Sequence, residues 1–117
     1  DARFLPHPAC TDNPPTSDGK EDHVSMGMTS ALKFRAVVRL AAFALASEMI
    51  AAGMGIDFRR PLRGGDGVEQ AMAHLRPHVA ESTGDRVWGT DAERLMELLL
   101  EGSMDEAIRA ELNELAL

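Results

Sequence analysis

The chain has 117 residues, a net charge of −7, four Phe, one Trp, no Tyr and one cysteine. That is room for one modest core, which must be built from Ala, Leu, Met and Val, and Cys10 alone excludes an internal disulfide. The charge is uneven: residues 1–30 sum to −3, 31–65 to +4 and 66–117 to −8, and an acidic half of that strength argues against broad nucleic-acid binding, because phosphates would be repelled.

Residues 1–29 hold Pro6, Pro8, Pro14 and Pro15 and show neither a helical nor a strand period. The composition predicts an extended arm without a helix or strand beyond a turn, resting through Phe4 and Leu5 on the body or on another chain. His7, Cys10, His23, Met26 and Met28 are soft donors of the kind copper prefers, although a flexible tail holds such residues by chance as often. Cys10 has no base beside it in sequence and no helix N-terminus to activate it as a nucleophile.

Ser30 is a plausible N-cap for a helix running to Gly53, apolar on nearly every side. Such a helix must be wrapped by the chain, a second copy or a partner. The pattern predicts burial of Ala41, Phe43, Leu45 and Ile50. Residues 28–46 imitate a secretory signal, but Arg39 interrupts the apolar region and the segment is internal. The charge-free run from Leu40 to Ser47 falls far short of the roughly 20 residues that span a bilayer, so a membrane role is not expected.

Residues 54–65 form a connection in which Arg59, Arg60 and Arg63 precede Gly64-Gly65-Asp66-Gly67 and a helix start. A basic, Gly-containing loop at a helix N-terminus can hold a phosphate, yet the spacing matches neither the P-loop nor the dinucleotide fingerprint. The competing expectation is that these arginines pair with the acidic C-terminal half.

A second helix begins at Asp66, with Glu69 three residues on as in a capping box, and Pro77 should split or kink it near Leu75. Gln70, His74, His78 and Glu81 fall on one face, opposite the stripe of Val68, Met72, Leu75 and Val79. Two imidazoles one turn apart can share a transition metal and Glu81 can join them; the competing reading is a solvated polar face.

Thr90 with Glu93, and Ser103 with Glu106, resemble two further capping boxes. They open a helix over Asp91–Glu101, stopped by Gly102, and a last helix over Met104–Ala116. A helix-turn-helix reading of this pair fails because the second helix carries one Arg against four acids within MDEAIRAELNELA.

The sequence therefore predicts an all-α fold, a small bundle of about four helices over residues 30–117 behind a Pro-rich arm over 1–29. No catalytic motif stands at its known spacing. The expected function is a non-enzymatic interaction protein, a subunit or assembly factor that meets a protein partner or a second copy through Val37, Leu40, Ala41, Ala44, Ile108 and Leu112. The alternatives are a small metal-binding protein using His74, His78 and Glu81, with no cofactor beyond that transition metal, and phosphate or nucleic-acid binding through Arg59–Arg63. Cysteine usage favours a cytoplasmic location.

Overall fold

The computed structural model describes residues 4–11, 14–81 and 84–115, with the side chains of 105, 107, 111, 112, 114 and 115 outside the description. Four helices dominate, α1 (Gly27–Asp57), α2 (Asp66–Leu75), α3 (Gly89–Glu101) and α4 (Ser103–Leu115), preceded by two short strands, β1 (Pro15–Thr16) and β2 (Glu21–His23). The all-α expectation holds. The chain divides into two compact units, Asp1–Ala41 and Ala42–Leu117, so the division falls inside α1 and not at residue 29.

In the first unit the arm is not structureless. β1 and β2 pair antiparallel, with Pro15 opposite His23 and Thr16 opposite Glu21. The turn is made by Ser17, Asp18 and Gly19 at φ of 52°, 56° and 81°, a left-handed run that short polar residues and glycine tolerate best. Apolar alternation is absent from Pro-Thr and Glu-Asp-His, so the strand period gave no warning of this hairpin. α1 starts at Gly27, four residues earlier than an N-cap at Ser30 implies. Ser30 lies in its first turn, where both its amide and its hydroxyl donate to the Met26 carbonyl, at 3.0 and 3.1 Å.

The second unit holds the core. One narrow stripe of α1, Ala42, Ala46, Ile50 and Gly53, meets Met72 and Leu75 of α2, Val79, Ala92, Leu95 and Met96 of α3, and Met104 of α4. Ala46 and Leu95 are fully buried. Of the four residues expected inside, Ile50 alone is buried; Ala41 is exposed, Phe43 is 37% exposed and Leu45 54%. The remaining helices cover a single face of α1, and the rest of its apolar circumference stays uncovered. Among the described residues α1 is the one helix long and apolar enough to cross a membrane, with a mean hydropathy of 1.6 over 18 residues. The charge-free run Leu40–Ser47 had understated it.

α1 also runs through Gly53 to Asp57. Gly53 is there for closeness, not for termination: a Cβ at this position would lie 2.8 Å from Cδ2 of Leu75. α2 stops at Leu75, where the Pro77 signal placed its end, and the amides of His78 and Val79 both turn back to the Leu75 carbonyl at 3.0 Å. The capping boxes are not formed as expected. Gly65, and not Asp66, caps α2; Trp88 precedes α3 with no side-chain cap; and the Ser103 hydroxyl donates to the Leu98 carbonyl. Gly102 does end α3, at φ 81° with its amide on the Leu99 carbonyl at 3.3 Å.

Candidate functional site

The first unit carries one polar grouping on its hairpin. On the hairpin, Glu21, Asp22 and His23 are exposed in consecutive positions, and the Thr16 hydroxyl donates across the strands to Oε2 of Glu21 at 3.4 Å. Ahead of it in the chain, the segment 5–11 folds into a tight turn: the Thr11 hydroxyl donates to the Pro8 carbonyl at 2.8 Å and lies 3.3 Å from Nδ1 of His7. From α1 the half-buried Lys33 donates its ammonium to the His7 carbonyl. A groove of about 230 Å³ runs here between Leu5, Pro6, His7, Ser30, Lys33 and Phe34. Among the described residues three non-glycine residues have left-handed backbone, Ser17, Asp18 and Met26, and all lie on this hairpin or at its exit. Strain of that kind gathers where a fold must present a group in a set orientation.

The soft donors of the arm do not assemble. Cys10 and Met28 are exposed, and among the described residues no three His, Cys, Asp or Glu side chains could hold a metal ion. The same holds for His74, His78 and Glu81. α2 ends before Pro77, so His78 sits in a turn and Glu81 is exposed beyond it. Nor is this a solvated face: Gln70, His74 and His78 are half-buried, with Oε1, Nε2 and Nδ1 respectively buried. The one-face geometry required a helix continuing to residue 81, and proline removes it.

The arginine loop folds onto α2. Glu69 accepts from the Gly64 amide at 2.8 Å and from Nη1 of Arg60 at 2.9 Å, with Nη2 of Arg63 at 3.6 Å. The Gly64 amide, with the two guanidinium groups behind it, holds the Glu69 carboxyl below the usual carboxylate range, against an opposing push from partial desolvation. The Arg60–Pro61 peptide is cis. Ile56, Arg59, Leu62, Arg63 and Gly64 line a pocket of about 400 Å³. Two of the three arginines thus face a carboxylate of the acidic half, as the competing expectation had it.

Two pairings had no local signal in the sequence. Arg76 forks onto both carboxylate oxygens of Asp57, 19 residues away. Arg86 stacks 4.2 Å over the ring of Trp88 and pairs with Asp91. Trp88 lines an apolar groove of about 350 Å³ with Phe43, Ser47, Ile50, Met54 and Ala92. Of the expected interface, Val37, Leu40, Ala41 and Ala44 are exposed along α1, Ile108 packs half-buried against the core, and the Leu112 side chain lies outside the described residues.

Comparison with known proteins gives this geometry its setting. The family model described as aromatic amino acid lyase matches residues 1–77. The histidine ammonia-lyases of Anaeromyxobacter sp. (strain K) and Myxococcus xanthus are 44% and 42% identical over 103 and 110 residues, covering 88% and 94% of this chain and 20% and 22% of their own lengths. The crystal structure of histidine ammonia-lyase from Trypanosoma cruzi superposes with a TM-score of 0.82 at 35% identity, over 92% of this chain and 21% of that one. The chain spans about one fifth of the length of these relatives. These matches overturn the expectation of a non-enzymatic interaction subunit: the proteins this sequence resembles along most of its length are enzymes.

Proposed function

The chain belongs to the aromatic amino acid lyase family, and from that premise we propose that it serves as part of a histidine ammonia-lyase. The observation that carries the reading is the joint agreement of sequence and fold, 35% identity at a TM-score of 0.82 across 92% of the chain. The reaction such an enzyme performs breaks the Cα–N bond of histidine, removes a proton from Cβ and leaves a double bond conjugated with the imidazole. Ammonia carries away the nitrogen with its bonding pair, and a base takes the proton.

Within this chain we assign the proton work to Glu21. It is a carboxylate on a hairpin whose turn is set by left-handed residues, and a cross-strand hydroxyl donates to it. General acid–base groups of this type contribute about 10²–10⁴-fold to rate. The uncovered apolar face of α1 fits the same reading: the remaining four-fifths of such an enzyme, or a second copy, would cover it, in the cytoplasm, without a membrane.

The test is a chimera in which this chain replaces the matching segment of the Myxococcus xanthus enzyme. It should release ammonia from histidine and generate an ultraviolet-absorbing conjugated product, and Glu21→Gln should lower kcat about 100-fold or more. A chimera that folds and assembles like its parent but leaves histidine untouched would overturn the reading.

A further inference from the structure

Resting on the lyase reading, we infer that Lys33 is a positioning residue, a clasp that closes the neck of the excursion carrying Glu21. Lys33 stands six residues into α1 and donates to the carbonyl of His7, 26 residues earlier in the chain. Between those two points lie the turn at 8–11, both strands of the hairpin and the first turn of α1. At the far side of the hairpin, three residues after β2, the chain enters α1 directly. At the near side the clasp ties the chain back to α1. One end of the excursion is therefore fixed covalently by the helix, and the other by this ammonium–carbonyl bond.

Lysine is an unusual choice for a half-buried position, because its ammonium is strongly hydrated and its stem is flexible. Here Lys33 lines the groove together with Leu5, Pro6 and Phe34, and its head reaches a backbone acceptor. A backbone carbonyl bonded to a charged donor is held more firmly than one bonded to a neutral group. The Thr11 hydroxyl, donating to the adjacent Pro8 carbonyl, stiffens the clasped turn itself. The hairpin contributes no buried apolar side chain of its own: β2 is exposed at all three positions, and β1 is exposed at Pro15 and half-buried at Thr16. With so little packing, the orientation of Glu21 depends on where the ends of the loop are held. A small displacement of a group that must meet a reacting proton carries a large rate penalty.

Two measurements test this, and they separate the clasp from the lyase reading. In the chain itself, Lys33→Met should raise amide hydrogen exchange over residues 16–23 about tenfold, while α3 exchanges as in wild type. Lys33→Arg, which keeps a cationic donor, should restore most of the protection. In the Myxococcus chimera, Lys33→Met should lower kcat about tenfold with KM changed less than threefold, and Lys33→Arg should recover it. Unchanged hairpin exchange in Lys33→Met, or Lys33→Arg behaving like Lys33→Met, would overturn the clasp. Faster exchange with unaltered kcat would overturn its role in the reaction. If the wild-type chimera is inactive, the lyase reading fails and the exchange experiment alone decides the clasp.

Discussion

Glu69 ties the start of α2 to the loop before it, because one carboxylate serves the Gly64 amide and the guanidinium groups of Arg60 and Arg63. Its carboxyl is held below the ordinary range in the folded chain. The sign follows directly: a depressed folded value means stability that is present above the unfolded carboxylate value of about 4.3 and lost as pH falls through the folded value. Glu69→Gln should therefore be less stable than wild type near neutrality. The difference in Tm should shrink as pH is lowered below about 4, a comparison that thermal melts at pH 7, 5 and 3 would make; a gap that stays constant with pH would show that the carboxylate charge is not what matters. The sequence contained half of this arrangement. A Glu three residues into a helix suggested a reach back toward the N-terminus, but it bonds Gly64 rather than the residue at the cap, because Gly65 brings the preceding amide within range.

At the level of elements, boundaries were legible where a single residue dictates them. Pro77 ends α2 and Gly102 ends α3, each for a reason fixed by its own backbone. Gly53 shows the limit of that logic. It looked like a stop, yet α1 passes through it, since what it supplies is clearance for Leu75, a contact no local pattern records. Gly53→Val should cost about 1–3 kcal/mol from overpacking, read by denaturant unfolding, and pairing it with Leu75→Ala should recover part of the loss. The face of α1 that faces the core was equally hard to read, because Ala, Leu, Val and Phe occupy every side. The core uses the small residues, Ala42 and Ala46, with Ile50, and leaves the larger Phe43 and Leu45 outside. Ile50→Ala should cost about 2–5 kcal/mol, whereas Leu45→Ala should stay within about 0.5 kcal/mol, the range of a surface change. Equal losses at the two positions would contradict this assignment of faces.

For the whole molecule, the sequence conveyed that α1 needs cover but not what kind of protein supplies it. The chain is about one fifth as long as its relatives, and it leaves an apolar face of α1 uncovered. Its motifs could not reveal chemistry, because the candidate acid–base group stands in a hairpin of polar residues without a spacing rule. Along α1, Phe34, Val37, Leu40 and Phe43 are each at least 37% exposed, more apolar side chain than a self-sufficient small domain leaves in water. Sedimentation of the chain at low micromolar concentration should show species larger than a monomer, and Ala44→Glu should shift them toward monomer. A wild-type monomer unmoved by that substitution would mean that the face is tolerated in water.

The core of the second unit is built around thioethers: Met72, Met96 and Met104 lie inside it and Met49 and Met54 border it, while Met28 is 76% exposed in the first unit. Methionine ε-methyl groups spin freely and give sharp resonances even in large assemblies. Carbon-13 labelling at that one position would place reporters across the buried interior and one on the open surface. Docking of the chain into a larger enzyme should move the Met28 signal while the three interior signals hold their shifts.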